Sequence, residues 1–94
     1  MDFTFEWDRQ KADANLRKHN VTFQEARTVF ADPTAITIAD NEHSNQEPRF
    51  VEIGRSALDR LLVVAYTERG QNIRIISCRR AERKERSAYE KTRT

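Results

Sequence analysis

Glycine and proline are scarce in this 94-residue chain, at two residues each. Two glycines cannot build a phosphate-cradling loop. Neither G-x-x-x-x-G-K-[ST] nor G-x-G-x-x-G occurs, which argues against nucleotide-dependent chemistry. Cysteine is scarcer still. Cys78 stands alone, so no internal disulfide can form and a reducing compartment is expected. Long apolar runs are missing. The longest, Leu61 to Tyr66, has six residues, whereas a bilayer span needs about 20. No membrane association is expected. The first ten residues, MDFTFEWDRQ, lack a basic start followed by an apolar stretch, so no signal peptide is expected and the setting reads as cytoplasmic. The two histidines, His19 and His43, have no Cys or His at ligand spacing. No metal site and no cofactor are expected.

Charge is abundant. Hydrophobic residues make up 37% of the chain and charged residues 34%, against roughly 45–50% and 25% in an average domain. The core must be small, and one domain of residues 1–94 is expected, because two cores would each be too small to fold. The net charge of +2 hides an asymmetry. Residues 1–20 are neutral, residues 21–68 carry four basic and eight acidic groups, and residues 69–94 carry nine basic and three acidic. A basic C-terminal quarter suits a polyanion or an acidic partner surface, or simply a solvated charged helix.

Periodicity places the elements. Phe3, Phe5 and Trp7 alternate with polar residues, as in a half-buried strand. Asp8 can cap a helix whose face is Ala12, Asn15, Leu16 and His19, ended by Asn20. Thr22 and Glu25 have the spacing of a capping box, with Val21 stapling onto Ala26. Phe23, Ala26 and Phe30 form the second helix's apolar face, and Asp32-Pro33 stops it. Four strands follow: Ala35–Ala39, Arg49–Ser56, Leu61–Thr67 as the most central, and Gln71–Cys78. An exposed loop, Asn41 to Pro48, joins the first pair, and a tight turn at 68–70 joins the last. Alternation puts Ile73 and Ile75 on one face, with Arg74, Ile76 and Cys78 on the other. A charged helix, Ala81 to Lys91, closes the chain, with Glu82 and Arg86 at helix-favouring spacing. The fold class is α+β, a meander sheet with helices packed on it.

Arginines carry the chemistry. Arg74 sits on a strand among isoleucines, where a permanent charge must reach solvent or an anion. Arg79 and Arg80 sit where a strand feeds a helix, a good place to hold a phosphate. The alternative for Arg74 is that it shields an exposed sheet face, and for Arg79 and Arg80 it is a structural ion pair with a Glu of the preceding loops. Cys78 reads as a small buried hydrophobe rather than a nucleophile. Metal-free RNA cleavage needs a base for the 2′-hydroxyl, cations at the phosphate and an acid for the leaving oxygen. His19, Lys18, His43, Glu68 and Tyr66 can move protons, and histidine suits neutral pH best.

The segment KADANLRKHNVTFQEARTVFADP (Lys11 to Pro33) resembles the RANLRKHGVSFEEA string of the BrnT family. DNEHSNQEPRFVEIGRS (Asp40 to Ser56) and LLVVAYTERGQNIRIISCRRAERKE (Leu61 to Glu85), followed by Tyr89, are similar to that family's later motifs. Asn20 stands for the usual Gly and Cys78 for the usual Ala. The resemblance implies a toxin of a type II toxin–antitoxin module with a RelE/ParE-like fold. That fold would be an antiparallel sheet with two N-terminal helices and one C-terminal helix. It further implies metal-independent ribonuclease activity that inhibits translation. A BrnA-like ribbon-helix-helix antitoxin would neutralise it, in a complex of two toxins and two antitoxins that touches DNA only through the antitoxin. Carried onto this sequence, the expected catalytic residues are Lys18, His19, Arg74, Arg79 and Arg80, and the expected RNA-binding residues are Arg49, Arg69 and Arg83. Two other functions compete. A non-catalytic nucleic-acid binder could use Asp8–Phe30 as a helix-turn-helix exposing Gln24, Glu25, Arg27 and Thr28. A scaffold could use the basic face only for an acidic partner.

Overall fold

A computed structural model describes residues 3–43 and 47–91. Part of the Asn41–Pro48 loop therefore lies outside the described residues. Strand β1 (Thr4–Trp7) leads into helix α1 (Arg9–His19) and the short helix α2 (Phe23–Arg27), which continues as a 3-10 turn, Thr28–Ala31. Strand β2 (Ile36–Ala39), a 3-10 turn at Asn41–His43, and strands β3 (Arg49–Arg55), β4 (Leu61–Arg69) and β5 (Asn72–Arg80) follow, before helix α3 (Arg83–Lys91).

Local chemistry sets the helix ends. The Asp8 carboxylate accepts from the Lys11 N–H at 3.0 Å. Asn20 adopts a left-handed φ of 58° and its N–H donates to the Leu16 carbonyl at 2.9 Å. The Thr22 hydroxyl accepts from the Glu25 N–H at 3.0 Å. The reciprocal half of the box is diverted. The buried Glu25 carboxylate instead takes the Arg60 guanidinium and, at 2.6 Å, the Ser56 hydroxyl. That pairing locks α2 to the β3–β4 connection.

The sheet order is β1-β5-β4-β3-β2. Strands β2 to β5 form the expected antiparallel meander with β4 in the middle. The sheet is nonetheless mixed, not antiparallel, because β1 pairs parallel with β5. The chain leaves β1 through α1 and α2 and returns only after the meander, the kind of long crossover that parallel neighbours require.

Each face buries its own cluster. Val21, Phe23, Ala26 and Val29 of the helical layer pack on Leu62, Val64, Tyr66, Ile73, Ile75 and Cys78. On the opposite face, Tyr89 of α3 packs on Ile53, Leu61 and Val63. Tyr89 is also pinned by its hydroxyl, which donates to Asp32 at 2.7 Å.

Two expectations of packing fail for identifiable reasons. Leu16 is exposed, and Asn15 is the buried residue of α1. α1 runs along β5 beyond the stretch that β1 covers. There the Asn15 amide donates to the Cys78 carbonyl at 2.8 Å and accepts from the Cys78 N–H at 3.0 Å. A side-chain amide, with an acceptor oxygen beside a donor NH2, matches the spaced carbonyl and N–H of an open strand edge. Cys78, in turn, shares the core with Ile73 and Ile75 rather than facing away from them. Tyr66 pairs with Ile75 but Ala65 pairs with Ser77, so Ile76 is an extra residue in β5. A one-residue bulge flips every later side chain to the other face.

A candidate active groove on the open face of the sheet

The register stacks three cross-strand rows on the face opposite α1 and α2. Arg49, Thr67 and Arg74 form one row, Val51, Ala65 and Ser77 the next, and Ile53, Val63 and Arg79 the third. Side chains directly opposite one another share a face. α3 covers the third row through Tyr89. The first two rows floor a pair of adjoining clefts. A cleft of about 340 Å³ holds Lys11, Arg49, Thr67, Arg69 and Arg74. One of about 360 Å³ holds His19, Arg49, Ser77 and Arg79. His43 and Arg49 line both.

The bulge decides which arginines meet here. Strict alternation from Arg74 would bring Arg80 to its face. The extra residue brings Arg79 instead, while Arg80 pairs with Leu62 on the α1/α2 face and helps to lower the Glu25 carboxyl.

Carboxylates orient the groove arginines. Arg74 donates to Glu6 at 2.8 Å, and Arg69 donates to Glu47 at 2.9 Å. Arg79 holds Glu85 of α3 bidentately at 2.9 and 2.7 Å. These bonds, with Arg74 foremost at Glu6, Arg69 at Glu47 and Arg79 at Glu85, hold all three carboxyls below their ordinary range. Arg79 thus does make a structural ion pair, but with Glu85 of the helix that follows it rather than with a Glu of a preceding loop. The pairs do not exhaust the arginines. A guanidinium carries five N–H donors, and Arg79 uses three, two on Glu85 and one on the Arg80 carbonyl. Glu82 lies 3.5 Å from the same guanidinium, whose two remaining N–H groups make no hydrogen bond among the described residues, with the planar group already fixed in direction.

Other residues in the groove gave weaker sequence signals. Thr67 is buried, and its hydroxyl has no partner among the described residues. His43 sits in the polar loop, and its Nδ1 lies 2.9 and 3.1 Å from the two oxygens of Asp40. Only the i,i+3 spacing of Asp40 and His43 could have hinted at that pair. Asp40, Glu42 and His43 can bring one ligand atom each within 4.8 Å of one another. Such a set could hold a hard cation weakly. None of the three is buried, and a set of exposed acidic groups is common without an ion.

Several expected site residues lie elsewhere. Lys18 is exposed and lines neither cleft, although its neighbour His19 lines one. Arg83 is exposed at the start of α3. Cys78 touches the larger cleft but is buried, and burial pushes its thiol up to about 12. No helix among the described residues is long and apolar enough to cross a membrane. The helix-turn-helix reading loses its reading helix. α2 has five residues, with Phe23, Glu25 and Ala26 buried.

No curated protein matches the chain. In structure it is similar to the ribonuclease toxin BrnT of Brucella abortus, known from a 1.1 Å crystal structure. The TM-score is 0.68 at 20% identity, over 87% of this chain and 100% of that one. That likeness speaks to the fold. The family model for the ribonuclease toxin BrnT of type II toxin–antitoxin systems matches residues 7–85. On that span, the chain belongs to the BrnT family of ribonuclease toxins, a family whose members are paired with an antitoxin.

Proposed function

We propose that this chain is a metal-independent endoribonuclease of the RelE/ParE-like kind, which acts in the cytoplasm and cuts RNA to inhibit translation and growth. The observation that carries the reading is that Arg49, Arg79 and His19 line one cleft. The arginines supply positive charge where a pentacovalent phosphate would accumulate negative charge. His19, at the end of α1, moves a proton at neutral pH. Arg69 and Arg74 continue the cationic track into the adjoining cleft. Lys18, Arg80 and Arg83 lie off the groove floor, in reach of flanking phosphates rather than of the scissile one.

A BrnA-like ribbon-helix-helix antitoxin is the expected inhibitor. Such antitoxins dimerise, so a complex of two toxins and two antitoxins follows, with DNA reached only through the antitoxin. Blocking the groove requires acidic groups that compete for Arg49, Arg74 and Arg79, or a shift of α3 that takes Glu85 away from Arg79.

Induced expression in a host without the antitoxin is expected to arrest growth, and the purified chain is expected to cut RNA in EDTA. Arg79→Ala is expected to lower cleavage about 100-fold, in line with the loss of one donor to a developing oxyanion. Arg80→Ala, on the opposite face, should leave cleavage within a few-fold. A wild-type chain that neither slows growth nor cuts RNA would overturn the proposal in favour of a non-catalytic binding module.

A further inference from the structure

We infer that His43, oriented by Asp40, is the group that takes the 2′-hydroxyl proton, an inference that rests on the ribonuclease reading above. Its position is the first argument. His43 lines both clefts, as Arg49 does. Its side chain is 59% exposed, so a substrate in the groove can reach the ring.

The second argument is tautomeric. Both Asp40 oxygens lie within hydrogen-bond distance of Nδ1. An ionised carboxylate only accepts, so Nδ1 carries the proton in the neutral ring and Nε2 carries the lone pair. The pair is held in place by backbone. The Asp40 N–H donates to the Arg49 carbonyl at 2.8 Å, and the His43 N–H donates to the Asp40 carbonyl at 3.3 Å. Asp40 also stabilises the imidazolium once Nε2 has taken a proton, the service an orienting carboxylate gives a catalytic histidine.

The third argument is the opposite wall. His19 reaches the same cleft from α1, beyond β5, while His43 reaches it from the turn beyond β3. A phosphate held by Arg49 and Arg79 lies between two imidazoles. Neutral His43 takes the 2′-hydroxyl proton on Nε2 as the 2′-oxygen bonds to phosphorus. The bond from phosphorus to the 5′-oxygen breaks, and protonated His19 gives that oxygen its proton. The products are a 2′,3′-cyclic phosphate and a 5′-hydroxyl. A proton passes from His43 to solvent and from solvent to His19 before the next turnover. Around His43, the acids are Asp40 and Glu42 on its own turn and Glu47 at the cleft rim. The cations are Arg49 on β3, Arg69 on β4, Arg74 and Arg79 on β5, and Lys11 on α1, with His19 opposite.

The test uses the full chain, a fluorescein-labelled RNA oligonucleotide and EDTA. His43→Ala is expected to lower kcat about 100-fold, with RNA affinity by anisotropy changed less than twofold. Asp40→Asn is expected to lower kcat less than His43→Ala does, because the ring keeps its place in the groove but loses the carboxylate that orients it. Nitrogen-15 spectra of the wild-type ring are expected to show the Nδ1–H tautomer, and Asp40→Asn should lose that bias. A fully active His43→Ala, or an Nε2–H tautomer, overturns the assignment and leaves the ribonuclease reading standing. Cleavage that EDTA abolishes and a divalent metal restores overturns it in favour of a metal on Asp40, Glu42 and His43. A wild-type chain that leaves RNA intact overturns the ribonuclease reading, and this inference with it.

Discussion

Replacing Asp32 by Asn tests how the helical layer, the sheet and α3 are tied together. Asp32 follows the 3-10 turn after α2, and each of its oxygens accepts two hydrogen bonds. One takes the Thr34 N–H and hydroxyl, both at 2.9 Å. The other takes the Arg55 N–H at 2.8 Å and the Tyr89 hydroxyl at 2.7 Å. Burial pushes the carboxyl upward, but the Arg55 N–H foremost, then Tyr89 and Thr34, outweigh it and bring it down to about 2 from an ordinary 3.8. That difference corresponds to about 2 kcal/mol of stability. The sign follows from the lowered value. The contribution is complete above about pH 4 and is lost as pH falls toward 2. An amide in place of the carboxylate keeps one acceptor oxygen and sets an NH2 against two donors, so Asp32→Asn should cost about 2–3 kcal/mol at pH 6. Urea unfolding read by tryptophan fluorescence at pH 6, 4 and 2.5 measures it. The gap between variant and wild type should narrow between pH 4 and 2.5. A variant within 0.5 kcal/mol of wild type at pH 6, by about one ordinary hydrogen bond's lower limit, would refute the account.

Gly54→Ala should destabilise the chain by about 1–3 kcal/mol, as overpacking does. Its Cβ would lie 2.9 Å from both the Ala35 Cβ and the Val29 Cγ1, and a thermal melt would show the loss. Glu52 is buried on β3 with its carboxyl pushed up by burial, and its Oε1 accepts from Thr37 at 2.7 Å and Tyr66 at 3.1 Å. A raised value makes its ionisation destabilising as pH rises past the unfolded carboxyl range. Glu52→Gln keeps an acceptor for both hydroxyls, so it should raise the urea midpoint at pH 7 and leave it unchanged at pH 4. Cys78, with its thiol at about 12, should resist a thiol reagent at pH 8 in the native state and react once the chain is unfolded in urea. Prompt native-state labelling would contradict its burial.

The sequence by itself determined the elements that short-range chemistry controls. Asp8, Asn20 and Thr22 cap where their side chains can reach a neighbouring N–H or tolerate a positive φ. The run from Leu61 identified the central strand, because Leu62, Val64 and Tyr66 face one core while Leu61 and Val63 face the other. The excess of basic residues after Glu68 pointed to β5 and α3. Family membership was legible in the same way, from motifs spread along the chain.

What the tertiary structure decided depends on partners far away in sequence. The parallel pairing of β1 follows from where the chain re-enters the sheet. Asn15 rather than Leu16 docks α1 because the open edge of β5 needs a donor and an acceptor. Asp40 and His43 are near neighbours in sequence, yet only the fold sets His43 where two clefts meet, with Asp40 lining one of them. Above all, alternation put Cys78 on the face of Arg74, whereas it shares the core with Ile73 and Ile75. The extra residue at Ile76 reverses the faces of everything after it, so Arg79 and not Arg80 turns toward the groove. A bulge is a property of two strands together. Its position is set by how β4 and β5 fit their faces to two different cores, and no periodicity within one strand records that.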